Sequence, residues 1–398
     1  MKKTLIAFAA LTAIAGIAQA QSTVTIYGIL DANIGSYKSN AVVGSTIQNL
    51  KQNKIESDGL NGSRWGIRLN EDLGGGLAAV GNLESGFDIS TGGLSPGNGG
   101  TAPLFGRRAN VGVSSTGFGT VTLGRNSSSY DDVSADHAMM GQSTFDPSNV
   151  NNGFNINANN GVNQSTAASA AALMNHGGRS WIGYNTRFNN SIKYISPNFS
   201  GFSGSLMYAL GEDKTPTNNA SKSVSANLKY ANGPLLVSGG YQSEAAGGGL
   251  TGTTTLVATN ATPALENTLL SVAYDLGVAK IGAGFNRAKF KDVIVPTYLG
   301  GNGSATFAAQ KEYNLSVAVP LGATTLSAGY AQSKGDTLGK SSGFGVQALY
   351  SLSKRTTLYV GGTSVKVYDK VATSAAVAFP GSSIGKTTIF AAGVRHTF

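Results

Sequence analysis

The residues best suited to bond chemistry are few in this chain. It has three histidines, His137, His176 and His396, and no cysteine. A nucleophilic triad needs a serine held against a histidine that is itself oriented, and serine is so frequent here that no particular one is selected. The histidines lack the spacing of metal ligands. Without cysteine, a zinc–thiolate site and a disulfide framework are both excluded. Glycine is abundant, at 55 residues, yet no glycine-rich turn opens a helix as a phosphate loop does. Scattered glycines suit the bends and tight turns of a curved sheet instead. The sequence predicts no catalytic residue, no metal and no cofactor.

Charge is the chemistry that remains. In the run 64–69, Arg64, Gly66 and Arg68 alternate with Trp65, Ile67 and Leu69. In 187–194, Arg187, Asn189 and Lys193 share one parity, and Phe188, Ile192 and Tyr194 the other. Ala109, Val111 and Val113 place Arg108 on the opposite face, with Arg107 beside it, while Arg125 shares the parity of Val121 and Leu123 at the end of its run. A guanidinium does not deprotonate and is weakly hydrated, so it is a permanent cation. Rows of such groups on the wall of a pore favour anions. In a constriction no wider than the Debye length, about 8 Å at physiological salt, their field is poorly screened.

The elements that must carry these residues are short strands. Period-2 alternation recurs along the chain: Val224, Ala226, Leu228 and Tyr230 oppose Ser225, Asn227 and Lys229, and Tyr313, Leu315, Val317 and Val319 oppose Asn314, Ser316 and Ala318. No segment past the first 20 residues keeps a helical period or reaches the roughly 20 apolar residues of a membrane helix. An apolar face and a polar face fit either a soluble sandwich or a barrel with lipid outside and water within. The connections decide between them. Tight turns at 72–76, 116–119, 196–201, 232–234, 275–277, 320–322 and 353–355 take turns with long polar loops such as 245–266 and 292–310. Seven short turns and eight long loops join sixteen strands, the asymmetry of an outer-membrane barrel. Such a barrel satisfies every backbone amide without water, and sixteen strands leave an aqueous channel.

Three further features agree. Lys2 and Lys3, an apolar run over 5–18 and the small-x-small Ala18-Gln19-Ala20 form a secretory signal peptide over 1–20, so the barrel domain is expected over 21–398. Tyr194, Tyr230, Tyr274 and Tyr350 each precede a short turn, where they would form an aromatic girdle. The last strand, 388–398, would close the barrel against the first, 24–33, leaving no free edge. The net charge of +9 is spread over strands, with no basic helix or aromatic RNA-binding motif, so a cationic lumen explains it and nucleic acid does not.

Several segments together resemble the Gram-negative trimeric porins of the β-proteobacterial and neisserial branch. They are Val24-Thr25-Ile26-Tyr27-Gly28-Ile29-Leu30-Asp31-Ala32, Ser63-Arg64-Trp65-Gly66-Ile67-Arg68 leading into Glu71-Asp72-Leu73-Gly74, and Leu104-Phe105-Gly106-Arg107-Arg108-Ala109. Gly119-Thr120-Val121-Thr122-Leu123-Gly124-Arg125, Asn190-Ser191-Ile192-Lys193-Tyr194-Ile195-Ser196-Pro197 and the terminal Gly393-Val394-Arg395-His396-Thr397-Phe398 complete the set. The resemblance implies a homotrimer of sixteen-stranded barrels, each with an inward-folded third loop. That loop corresponds to 126–178, whose alanine-rich stretch 167–174 has the propensity for a helical turn.

On this resemblance the constriction wall comprises Arg64 and Arg187, with Arg107, Arg108 and Arg125. The family has one arginine at the Arg107 position followed by glutamine, so the doubled arginine is a departure. The facing acids are expected from the third loop, at Asp131, Asp132 and Asp136; the bland alternative is that they are ordinary solvated loop acids. Phe398 ends the family's assembly signal. The implied partners are outer-membrane lipid and lipopolysaccharide, the barrel-assembly machinery, and small solutes and ions. The expected function is an outer-membrane channel for passive diffusion with weak anion preference. A barrel devoted to adhesion through its loops is the second reading, and an outer-membrane hydrolase with a His-Ser pair the third.

Overall fold

A computed structural model describes residues 22–43, 46–94, 103–148, 180, 181, 183–212, 214, 216, 219–245, 264–291, 308–336, 339–366, 369 and 386–398. The expected signal peptide and the 167–174 stretch lie outside the described residues. Strands run β1 Thr23–Val43, β2 Thr46–Ser57, β3 Arg64–Gly74, β4 Leu77–Gly86, β5 Arg108–Ser115 and β6 Gly119–Ser127. They continue with β7 Arg187–Ile195, β8 Phe202–Leu210, β9 Lys222–Asn232, β10 Leu235–Ala245, β11 Ala264–Asp275 and β12 Lys280–Lys291. The last are β13 Gln310–Leu321, β14 Thr324–Gly335, β15 Gly339–Ser351, β16 Thr356–Lys366 and β17 Lys386–Thr397. Successive strands from β3 onward pair antiparallel, and β17 pairs with β1 from Ile29↔Thr397 to Lys38↔Thr388, which closes the ring.

The other edge of β1 is shared. Its first half pairs with β3 and its second half with β2, so β2 and β3 fill one place in a ring of sixteen. Between them the chain leaves the ladder over 58–63, and buried Asp31 of β1 holds it there. Its carboxylate accepts the backbone N–H groups of Gly59 (3.1 Å), Leu60 (2.8 Å) and Asn61 (2.8 Å) and the hydroxyl of Tyr359 on β16 (2.5 Å). A buried carboxylate is tolerable only with such satisfaction.

The burial pattern is inside out relative to a soluble sheet. Along β13, Gln310, Glu312, Asn314 and Ser316 are buried, while Tyr313 and Leu315 are 47% and 64% exposed. Apolar residues that face outward on strand after strand are a lipid surface. Tyr194, Tyr274 and Tyr350 are among them, as the girdle reading expects.

The seven tight turns join strands where expected; the first uses Gly74, Gly75 and Gly76 with φ of 82°, 61° and 77°, a backbone only glycine adopts freely. At the opposite end the loops are less uniform than expected. The first strand runs past residue 33 to Val43 and returns as β2, and β14 reaches Gly335 before β15 starts at Gly339. There the ladder itself continues, so residues expected as loop satisfy their amides in strand pairs.

Candidate pore constriction

Residues 128–148 fold into the barrel and run along its inner wall. The Ser129 N–H donates to Ser225 Oγ on β9 (2.8 Å), the Tyr130 hydroxyl to Asn286 Oδ1 on β12 (2.9 Å), and the Met139 N–H to Ser316 Oγ on β13 (2.9 Å). Ser143 Oγ donates to Gln347 on β15 (2.7 Å), and the Thr144 N–H reaches the carbonyl of Gly59 (2.8 Å). Two apolar clusters hold the segment down: Tyr130 and Val133 with Trp181, Tyr184, Leu269 and Ala331, and Met140 and Phe145 with Leu60, Tyr359, Ile389 and Ala391. The described part of the third loop, up to residue 148, is therefore inward-folded.

The wall beneath it has glycines at the points of closest approach. A Cβ at Gly345 would lie 1.8 Å from the Phe145 carbonyl oxygen, and one at Gly284 would lie 2.6 Å from the His137 ring. Only glycine at these positions lets the loop lie this close. His137 stacks on Trp181 with centroids 5.1 Å apart, and burial holds its imidazole down at about 4. It is thus a neutral packing residue, not a base facing solvent.

Across the lumen, the inward positions of β3–β5 carry long polar side chains. Arg107 donates through Nε to Glu84 Oε1 (2.6 Å), and the other oxygen of Glu84 accepts the Tyr27 hydroxyl (2.8 Å). Glu84 pairs in register with Arg108 and Gly66, so Arg108 is inward by strand parity, while Arg107 reaches in from just before the strand. Both arginines of the doubled motif therefore belong to this wall. Arg64 lies within the fields of Arg107, Arg108 and Glu84, and Arg187 within those of Arg107, Arg125, Asp131 and Glu84. Arg125 is tied to the Gly106 carbonyl (2.7 Å) and Asn189 Oδ1 (2.6 Å).

The loop acids divide. Asp131 accepts the Tyr184 hydroxyl (2.9 Å) and feels Arg187; burial raises its carboxyl above the usual range while Arg187 opposes that rise. Asp132 pairs with Lys193 on β7 (2.6 Å) and Asp136 with Lys229 on β9 (3.0 Å), so these two fasten the loop to lysines.

Two features were not read from the sequence. Glu84 is an acid in an arginine wall, though parity with Asn82 would have turned it inward. Phe188 was expected to face lipid, but it is fully buried against Met207 and Ala209. The cause is a register shift opposite Gly124–Asn126 with Asn190 at φ 51°, a bulge that resets the faces of β7.

A closed sixteen-place barrel with an apolar exterior, a polar lumen and an inward loop defines an outer-membrane channel. The profile of the Gram-negative porin family matches residues 7–369. The chain is 30% identical to an outer membrane porin protein of Bordetella pertussis and 31% identical to outer membrane porin protein 32 of Delftia acidovorans, with all of each chain covered. It superposes on the solved anion-selective porin from Comamonas acidovorans with a TM-score of 0.70 at 24% identity, over 95% of this chain and 100% of that one. The chain belongs to the Gram-negative porin family and is a multi-pass protein of the outer membrane that forms a water-filled channel for passive diffusion.

Proposed function

We propose that this porin prefers anions weakly, and that Arg64, Arg107, Arg108, Arg125 and Arg187 form the constriction wall that sets the preference. The supporting observation is the charge balance: Glu84 is committed to Arg107, while Asp132 and Asp136 are committed to lysines. The mutual fields of Arg64, Arg107, Arg108 and Arg187 are thus incompletely compensated. A cation cluster in a low-dielectric wall focuses its potential into the adjacent water. The protein has no catalytic step in this reading; solutes cross by diffusion, and Asp131 supplies the facing acid.

Three copies assemble with their β1–β6 faces inward. Outward residues described there include Val24, Ile26, Val111 and Val113, between 50% and 67% exposed, and no tyrosine. Tyrosines mark the outward face from β7 to β15, as expected where strands meet the lipid boundary. Residues 1–20 direct export, and the C-terminal strand ending in Phe398 engages the assembly machinery.

Planar-bilayer recording of the purified protein tests this reading. Stepwise currents in triplets with a reversal potential favouring chloride over potassium are expected. A potassium-favouring potential would overturn the anion preference, and the absence of steps with an intact barrel would point to surface architecture instead.

A further inference from the structure

The short strap over 58–63, between β2 and β3, is tied to one residue of β1 at both ends and along its middle. At its ends the Asp58 N–H donates to the Asp31 carbonyl (3.0 Å), and the Ser63 hydroxyl donates to the same carbonyl (3.1 Å). The Asp31 N–H donates in turn to Ser63 Oγ (3.1 Å). Along its middle the Asp31 carboxylate takes two donors on each oxygen, Gly59 N–H and the Tyr359 hydroxyl on Oδ1, Leu60 N–H and Asn61 N–H on Oδ2. Only a carboxylate can do this, since the amide of an asparagine would turn a donor toward one pair of donors.

The strap stands between two parts of the constriction. At one end the Gly59 carbonyl accepts the Thr144 N–H of the third loop (2.8 Å), and Leu60 packs with Met140 and Phe145 of that loop. At the other end the backbone of Gly62 lies against Arg107, so that a Cβ added there would be 3.1 Å from Arg107 Nη1. Asn61 Oδ1 also accepts from Arg395 Nη1 on β17 (2.7 Å), which braces the strap against the closing strand. Gly59 and Gly62 are three residues apart, a span of at most about 11 Å even when extended. A shift at one end of so short a segment reaches the other.

We infer that Asp31 is a positioning residue of the constriction: through the strap it sets where the third loop and Arg107 stand relative to each other. Asp31 is fully buried and touches no solute itself. The inference rests on the reading of Arg107 as part of the constriction wall. It adds that pore width and ion preference are both governed from a site inside β1.

Single-channel recording of three variants tests it, because the two ends of the strap can be disturbed separately. Leu60→Ala weakens the grip on the loop alone and should raise open-channel noise with the reversal potential unchanged. Gly62→Ala pushes the far end of the Arg107 side chain and should shift the reversal potential with the noise unchanged. Asp31→Asn should do both, with loop fluctuations about tenfold more frequent, the factor carried by one lost hydrogen bond to a charged group. An Asp31→Asn channel that melts earlier yet keeps wild-type noise and reversal potential would overturn the inference and leave Asp31 a stabilising residue only. Should Asp31→Asn not assemble, wild-type behaviour of both Leu60→Ala and Gly62→Ala would overturn it equally. A potassium-favouring potential of the wild-type channel would instead overturn the anion-preferring reading and leave the noise of Leu60→Ala untouched, so the two failures are distinguishable.

Discussion

Two walls of one lumen are built from the same alternation and behave oppositely. On β3–β5 the inward positions are Arg64, Arg68, Asn82, Glu84, Arg108 and Asn110, and a cavity remains beside them. On β12–β16 they include Gly282, Gly284, Gly329, Gly345 and Gly361 beside Asn286, Ser316 and Gln347, and the third loop packs on the glycines and bonds to the polar side chains. Glycines at the points of closest approach thus let the loop lie on this wall, and the opposite wall carries the arginine cluster. The loop is fitted to its wall by volume and fastened at its start by ion pairs.

The largest expected effect comes from removing the arginine charge of the proposed constriction. Replacing Arg64, Arg107 and Arg187 together by Ala should abolish the anion preference. The reversal potential at 0.1 M salt, where the Debye length is about 10 Å, is the sensitive measurement; at 1 M, with about 3 Å, the difference from wild type should shrink. A preference that survived at low salt would assign selectivity elsewhere.

Filling the covered wall is expected to matter next. Gly345→Leu puts a side chain where the Phe145 carbonyl lies, and overpacking of this kind costs about 1–3 kcal/mol. The loop should lift, changing unitary conductance and its noise while the barrel keeps its strand signal. The same substitution at Gly112 would meet the barrel's own backbone, the Val121 carbonyl, and would test barrel stability instead.

A smaller effect should follow from Asp132→Asn, which leaves Lys193, only 4% exposed, without its carboxylate. Leaving a buried charged donor short of a partner costs on the order of 1–3 kcal/mol. Asp136→Asn should cost less, because Lys229 is 29% exposed and can turn to water. Protease susceptibility of the third loop would rank the two.

The smallest effect is acid sensitivity through His137. Its folded pKa lies below the unfolded value of about 6.5, so the unfolded chain takes up the proton first. Its contribution is intact above about 6.5 and is lost as pH falls toward about 4. Thermal unfolding of His137→Gln should therefore be flatter than wild type across that interval; equal slopes would remove His137 from the account.

Much of this contrast was legible in sequence because lipid and water impose a strict period of two. Arg64 and Arg108 followed from parity alone, and the closing strand from its alternation and position. Parity failed at Phe188, where the bulge on β7 arises from pairing with β6, a long-range property that no local pattern carries. The partners of Asp132 and Asp136 were hidden for the same reason. Which lysine a loop acid meets depends on the path of the loop, and that path is set by glycines on strands more than 100 residues away in sequence.

The inside-out alternation also bears on how such a chain reaches its destination. A segment such as β13, taken out of its barrel, sets Glu312, Asn314 and Ser316 between Tyr313, Leu315 and Val317. Coiled as a helix it would present polar groups on all sides, and charged or amide groups at a bilayer centre are strongly disfavoured. The half of the surface that finally meets lipid is thus camouflaged while the chain is linear. It can pass through one membrane without lodging there and becomes greasy only when sixteen strands have turned their alternate residues outward together.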